Sequence, residues 1–518
     1  MTNEAPRWSI PESWVWTTMS EVAEIVGGST PSTDEPENFA SSGIPWITPA
    51  DLSGYKAKVI SRGSRDISEK GLADSSTRLM PAGTVLFSSR APIGYVAIAA
   101  NPVTTNQGFK SFVLSKGVLP DYAYYWLIRA KNLLSEFASG TTFLEISGKR
   151  ARQIPLLIAP IDEQRRIVDA IESLLPKLDA AVAALERVRA NLKRYRASVL
   201  KAAVEGRLVP TEAELARKEG RDFEPASALL DRILAERRRR WEETELARMN
   251  ASRKPPKDDR WKSKYREPIA PDTSALPQLP NGWSWMTADQ CTDQITDGEH
   301  ITPPRTDNGV FLLSARNVQD GRLALDIVDY ISESVFEQLS TRLSMKPGDV
   351  LLSCSGSVGR SCVVPEGIRF ALVRSVAVLK PVVPIGTYLS FVLRSLFLQR
   401  QIDRKKTQTA QANIFQGKIR TLVFPLPPLP EQCRIVSEIE RLLSVTDETD
   451  LSVKNAAQRC DRLRQSILKW AFEGKLVDQN PNDEPASVLV ERIRAERVAA
   501  APSRKFRKSN TREAEAAK

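Results

Sequence analysis

The chain has 518 residues, 42% hydrophobic and 26% charged, and its Lys plus Arg (74) exceed its Asp plus Glu (63) by 11; that balance is ordinary for a soluble globular protein of about three or four domains. No run approaches the ~20 apolar residues of a membrane span, and MTNEAPRWSIPESWVW lacks the basic-then-apolar order of a secretory signal, so a cytoplasmic protein is expected. Five cysteines with no CxxC pair argue against a disulfide framework or a cysteine-rich zinc site, and any histidine chemistry must pass through the one histidine, His300.

PESWVW (11–16) opens a stretch of mixed α/β pattern. Thr84–Ser88 predicts a short buried strand entered through a Pro/Gly turn, and Tyr122–Phe137 has helical periodicity. The polar clusters here are Ser88-Ser89-Arg90 and Thr104-Thr105-Asn106-Gln107, then a loop, Ser139-Gly140-Thr141-Thr142, leading to Gly148-Lys149-Arg150. Next, Ile167, Ile171, Leu174, Leu178, Ala181, Leu185, Val188, Leu192, Tyr195 and Val199 step by 4 and 3 without a slip. That stripe predicts a coiled-coil helix with a partner, rising roughly 48 Å over 167–199 at 1.5 Å per residue. Pro176 offers no N–H to residue 172 and predicts a kink or local break.

Residues 207–280 hold a charged helix (about 225–249) and RKPPKDDRWKSKYREP, which reads as a surface linker or loosely ordered arm. From Arg237 to Arg266 there are 12 Lys/Arg against 5 Asp/Glu, so most of the excess charge is local. Such a run is either a solvated face or a set of phosphate contacts.

From Pro280 the sequence is written a second time. PNGWSW (280–285) answers PESWVW, and KPGDVLLSCSGSVG (346–359) answers PAGTVLFSSRAPIG (81–94), predicting a strand at Val350–Ser353. A helical stretch, Tyr388–Ile402, answers Tyr122–Phe137. Glu431-Gln432-Cys433-Arg434-Ile435-Val436 repeats Glu163-Gln164-Arg165-Arg166-Ile167-Val168 at an offset of 268, and Glu473-Gly474-Lys475-Leu476-Val477 repeats Glu205-Gly206-Arg207-Leu208-Val209 at the same offset. The helix between these landmarks therefore has one length in both halves. EPASVLVERIRAER (484–497) matches EPASALLDRILAER (224–237) at 10 of 14 positions, so the helical parts stayed alike while the globular parts diverged. Thr446, Thr449 and other small or polar residues occupy the second stripe, and the larger residues of the first complement them. The two helices can pair antiparallel within one chain, holding the globular parts at opposite ends of a rod; a helical linker or a homodimerisation coil is the alternative. The tail after Ala499 reads as disordered.

Catalytic motifs fail one by one. Asn101-Pro102-Val103 and Thr302-Pro303-Pro304-Arg305 both miss the Asn/Asp-Pro-Pro-aromatic pattern of an amino-methyltransferase. Gly356-Ser357-Val358-Gly359 lacks the Lys-Ser/Thr of a phosphate loop and reads as a tight turn. His300 reads as a loop residue or a nucleic-acid contact. No catalytic residue and no metal ligand is assigned, and recognition remains. Arg, Lys, Asn and Gln read base edges, while Ser, Thr and Lys hold phosphates. The candidates are Ser89, Arg90, Asn106, Gln107, Thr141, Thr142, Lys149 and Arg150 in the first half. In the second they are Arg316, Asn317, Arg360, Arg374, Lys405, Lys406, Gln408 and Lys418.

With its paired IPLLIAPIDEQRRIV and FPLPPLPEQCRIV segments, paired EGRLV/EGKLV helix ends and paired EPAS segments, the chain resembles the specificity (S) subunit of Type I restriction-modification systems over nearly its whole length. The resemblance implies two α/β (α+β) target-recognition domains separated by two long antiparallel coiled-coil helices, a pseudo-two-fold internal repeat. The corresponding segments are 1–155 (first recognition domain), 156–206 (central helix), 207–279 (charged helix and basic linker), 280–425 (second recognition domain), 426–476 (C-terminal helix) and 477–518 (repeat helix and tail). It also implies double-stranded DNA as ligand, each domain reading one half of a bipartite asymmetric site, with a ~48 Å helix spanning roughly 14 base pairs at about 3.4 Å each. Two methyltransferase subunits and two motor-endonuclease subunits are the implied partners. S-adenosylmethionine, ATP and Mg²⁺ belong to them, with no cofactor in this chain. Glu163, Gln164, Glu431 and Gln432 are expected to dock partner subunits or to cap the helices. The rival expectation is a coiled-coil scaffold or regulator that does not read DNA; a single-chain methyltransferase-nuclease is disfavoured by the missing motifs.

Overall fold

The computed structural model describes residues 9–90, 92–138, 144–253, 256–407 and 412–500. The chain forms two units, one from the residues up to Leu185 together with those from Asn455 on, the other from Glu186–Lys454. Each unit therefore includes the N-terminal part of one long helix and the C-terminal part of the other. Among the described residues no helix is long and apolar enough to cross a membrane.

In the first unit a five-stranded sheet runs in the order Ala23–Gly27, Lys110–Leu114, Val85–Phe87, Val96–Ala99, Val59–Ile60. The predicted strand at Thr84–Ser88 is found as Val85–Phe87. Its residues alternate between two cores: Val85 and Phe87 join the cluster around Trp126 and Tyr122, and Leu86 joins the one around Ile47 and Phe109. Side chains on successive strand residues point to opposite faces, so a wholly apolar strand is covered on both. The second unit repeats this plan in a four-stranded sheet, Thr292–Asp297, Val376–Pro381, Val350–Ser353, Ser361–Val363. There Val350 and Leu352 face one core and Leu351 the other.

The predicted helix at Tyr122–Phe137 is two helices, Pro120–Arg129 and Lys131–Glu136. Its counterpart is likewise split, into Gly386–Arg394 and Leu396–Lys405. The second break has a visible cause: Ser395 is extended and its hydroxyl accepts the Leu398 N–H (3.4 Å), starting a new helix.

The long helices are Ile161–Val204 and Leu429–Ala471. The first runs through Pro176 without the expected break. Pro176 is exposed, so the carbonyl of Glu172 that it leaves unpaired meets water. Each unit holds an antiparallel pairing of the two helices. In the first, Ile167 and Ile171 share a core with Ile467, Leu468 and Ala471, and Arg464 pairs with Asp179. In the second, Val199 and Ala203 share a core with Ile435 and Ile439, and Arg196 pairs with Asp447 at 2.5 Å. The expected stripe is not dry along its length: Ala181, Val188, Tyr195 and Leu463 are exposed. Thr446 is buried all the same, because its hydroxyl donates to the Leu442 carbonyl (2.6 Å).

Each globular part is completed by the segment that follows the other part's helix. In the first unit the Ala486 N–H donates to Ser13 O (2.9 Å); in the second the Ala226 N–H donates to Gly282 O (2.8 Å). A buried carboxylate at the start of each long helix makes the same join. Glu163 accepts the Trp14 indole N–H (2.9 Å) and the Gln479 amide. Glu431 accepts the Trp283 indole N–H (3.0 Å) and the backbone N–H of Glu212 (2.8 Å). The neighbouring glutamines are equally internal: Gln164 donates to Ala159 O and Gly117 O, and Gln432 to Pro427 O. With exposures of 1, 0, 0 and 3%, Glu163, Gln164, Glu431 and Gln432 have no surface to offer a partner subunit. The docking expectation is corrected: these residues fasten the fold.

Burial holds both carboxyls above the ordinary carboxylate range, while the hydrogen bonds pull the other way. The folded protein takes up these two protons at a higher pH than the unfolded chain does. Their contribution to stability therefore increases as pH falls through the raised folded values, and it is least favourable at neutral pH. Glu431→Gln should cost the second unit about 1–3 kcal/mol, because one of two donors, the indole or a backbone N–H, is left facing an NH₂ group. Glu163→Gln should cost less, because the Gln479 amide can turn to present its oxygen. Hydrogen exchange at the Glu212 amide and denaturant unfolding of both variants measure the difference.

Candidate nucleic-acid interface

The strand Val85–Phe87 ends in Ser88-Ser89-Arg90, and Val350–Ser353 continues into Cys354-Ser355. At both ends one hydroxyl closes the following turn. Ser88 Oγ donates to Pro92 O (2.8 Å) and accepts the Tyr95 N–H (2.8 Å). Ser353 Oγ donates to Ser357 O (2.6 Å) and accepts the Arg360 N–H (2.9 Å). The next residue binds two further segments by backbone. Ser89 N–H donates to Gly108 O (2.8 Å) and its carbonyl accepts the Ile146 N–H (2.9 Å); Cys354 does the same with Ser375 O (2.7 Å) and Ile414 N–H (3.0 Å). A third segment arrives through a glycine. A Cβ on Gly28 would collide with the Thr105 and Asn106 carbonyls, and one on Gly298 with those of Leu372 and Val373.

Four segments thus meet in the same backbone frame in each unit, and the side chains on it differ. In the first unit Arg90 and Lys110 lie 3.9 and 3.8 Å from Glu145. Burial lowers the Lys110 ammonium pKa; Glu145 opposes that and Arg90 adds to it. Gln107 is exposed and its Oε1 accepts the Thr30 hydroxyl. In the second unit the frame borders a cleft of about 850 Å³ lined by His300, Arg305, Arg374, Asn413, Phe415 and Gln416, among others. Its acidic groups are engaged: Asp297 accepts the Gln416 amide (2.6 Å) and lies 3.3 Å from His300, and Glu299 pairs with Arg342 (2.6 Å). Arg374 is exposed and its guanidinium has no partner among the described residues.

The short helix Gln416–Arg420 is fixed from beneath. Buried Asp289 accepts Arg420 (2.7 Å) and the Ile269 N–H (3.0 Å), and Arg237 stands 3.8 Å away. The linker is consequently folded against the second unit over residues 256–269 and not loosely ordered there: Trp241 stacks on Trp261 (5.9 Å between centroids) and meets Tyr265 edge-on (5.3 Å). The run Arg237–Arg240 is largely neutralised, Arg238 by Glu242, Arg239 by Glu236 and Glu243, and Arg240 by Glu236 and Asp293. Its phosphate-contact reading is accordingly set aside.

The predicted contact residues now sort by exposure. Lys149, Arg374 and Lys418 are exposed with free charged ends among the described residues, and half-buried Arg360 also lacks a side-chain partner there. Arg316 is exposed and ion-paired to Asp329 (3.0 Å); Lys406 pairs with Asp403 (2.7 Å). Asn106 accepts the Gly108 N–H and shapes the turn before the sheet. Arg150 donates to the carbonyls of Phe137 and Ala138, and Lys405 to Thr421, so both are committed to the fold. Ser89 and Asn317 are corrected outright. Ser89 is 0% exposed and bonds Gly108 O, while Asn317 is 2% exposed and ties together Ser314, Ala324 and Ile327. Thr141, Thr142 and Gln408 lie outside the described residues.

Sequence reasoning missed Thr30, Lys110, Glu145, Ser355, Asn413, Phe415 and Gln416. Glu145 and Asn413 stand 268 residues apart, the offset of the helix repeat, so extending that alignment upstream would have found them. Among the described residues no group of three His, Cys, Asp or Glu is placed to hold a metal ion. All five cysteines are free, and burial pushes the Cys354 and Cys362 thiols up to about 12.

The family model for the Type I restriction modification DNA specificity domain matches residues 11–186 and 321–456. The Type I restriction enzyme MjaIX specificity subunit of Methanocaldococcus jannaschii is 42% identical over 165 residues, 31% of this chain and 38% of that one. The EcoBI specificity subunit of Escherichia coli is 25% identical over 513 residues, 96% of each chain. A solved chain, from work on complex assembly and conformational transition of the type I R-M system, aligns over 90% of this chain and 100% of that one, with a TM-score of 0.58 at 19% identity. That likeness speaks for the fold.

The turn-closing serines give a direct test. Ser353→Ala leaves the Arg360 N–H without its acceptor and should speed hydrogen exchange at that amide by about tenfold or more, equivalent to ~1.4 kcal/mol. Ser88→Ala should do the same at Tyr95. Amide exchange measured on both variants checks each turn separately.

Proposed function

Because this chain belongs to the Type I restriction modification DNA specificity family, we propose that it reads a bipartite, asymmetric DNA site, one half-site through each globular part. The observation that carries this reading is the repeated backbone frame furnished with different side chains: Thr30, Arg90, Gln107 and Glu145 against His300, Ser355, Arg374 and Asn413. A conserved scaffold gives each reader the same approach to a groove, and distinct polar sets give the half-sites distinct sequences. The paired long helices set the gap between half-sites. The chain docks two methyltransferase subunits and two motor-endonuclease subunits, which supply the chemistry with S-adenosylmethionine, ATP and Mg²⁺. The chain itself works without catalysis, in the cytoplasm. The docking surfaces lie elsewhere than the buried Glu-Gln pairs.

Co-expression with the methyltransferase subunit of its system, followed by sequencing of modified bases in the host DNA, is the test. The expected result is one motif of two unlike half-sites with a fixed gap. Exchanging residues 280–425 for another recognition domain should then change one half-site only. A stable complex that leaves no motif would favour a scaffold.

A further inference from the structure

Gln107 and Arg374 occupy one and the same position in the two readers. Upstream, the Thr105 carbonyl accepts the Ser29 N–H (3.0 Å), and the Leu372 carbonyl accepts the Glu299 N–H (2.7 Å). Downstream, Gly108 and Ser375 accept the backbone N–H groups of Ser89 and Cys354. Two residues separate these anchors in each unit, so Asn106 corresponds to Val373 and Gln107 to Arg374 with no insertion between them. The strand that follows agrees: Lys110 pairs with Gly27, and Ala377 with Asp297.

On the shared reading of the chain as a two-part DNA reader, we propose that this position selects a purine in each half-site: Arg374 reads a guanine and Gln107 an adenine. A guanidinium donates twice, matching the O6 and N7 acceptors that guanine shows in the major groove. A carboxamide accepts once and donates once, matching the N6 donor and N7 acceptor of adenine. Both side chains are exposed, as a reader of base edges must be. Among the described residues Arg374 is also unspent, since the nearby carboxylates Asp297 and Glu299 are held by Gln416, His300 and Arg342. For Gln107, the Thr30 hydroxyl occupies one lone pair of Oε1 and fixes the amide plane. That leaves the second lone pair and the NH₂ group for the base. Thr30 is therefore a positioning residue.

The experiment uses the full chain assembled with its methyltransferase subunit, as wild type, Arg374→Gln and Gln107→Arg. Modified-base sequencing gives the motif, and competition among duplexes changed at one base pair at a time gives discrimination. Arg374→Gln should weaken discrimination at one G·C pair of one half-site by on the order of 10- to 100-fold. Gln107→Arg should move the preference at one A·T pair of the other half-site toward G·C. Thr30→Val should weaken discrimination at that same A·T pair while leaving the other half-site unchanged. If the wild type yields a bipartite motif that both exchanges leave unaltered, the assignment is overturned and the two-reader function stands. Uniformly weaker binding without a change in preference would overturn it too, marking phosphate contacts. A wild-type complex with no motif would overturn the function on which the assignment rests.

Discussion

A buried carboxylate at the start of each long helix is the constraint on which the rest of the molecule hangs. Glu163 and Glu431 each receive an indole N–H from the beginning of their own globular part and a second donor from the segment that follows the other helix. A carboxylate taken out of water needs its lone pairs filled. Here the two donors come from two other stretches of chain, so satisfying one side chain fixes the start of a helix, a β-strand that precedes the globular sheet and a returning segment together. The apolar packing follows the same plan. Phe472, just beyond the second long helix, packs on Tyr122 and Trp126 of the first globular part at 5.1 and 5.2 Å.

This arrangement separates framework from reader. The strand running from the sheet centre is apolar on both faces, and that rigidity ends where a serine hydroxyl closes a turn. Beyond that point the backbone bonds are the same in both units, and the side chains are free to differ without disturbing any core. A device that must present two unlike chemical surfaces on one construction has this form: identical main-chain anchors, with variation in the side chains they carry.

Charge is allotted in the same spirit. The arginine run that stands out in the sequence is absorbed by its own helix and by Asp293, and Arg237 helps hold Asp289 beneath the helix that carries Gln416 and Lys418. Lys149, Arg374 and Lys418, by contrast, are exposed near the two frames with no side-chain partner among the described residues. Placement, and not the number of positive charges, therefore decides which cations are available to a phosphate or a base.

Sequence alone determined the internal repeat, its equal helices, the central strands and the absence of recognisable catalytic motifs, because periodicity and spacing are properties of the chain read in order. It also gave Arg374 and Gln107 as candidates by residue type, though not as equivalents. Burial was beyond it. Ser89, Asn317 and the Glu-Gln pairs look in a sequence like any polar residue, and only the packing of distant segments shows that their bonds are spent inside. The same holds for the seam. A perfect 4–3 stripe predicts a continuous dry interface, yet Val188 and Tyr195 are exposed, since burial depends on what the facing helix presents at each level. Pro176 follows the same logic. Its missing N–H is a fact of the chain, but whether a helix survives depends on the freed carbonyl meeting water, which the exposed face provides. What the tertiary structure decided was which polar atoms are satisfied by the protein itself and which are left for something else to bind.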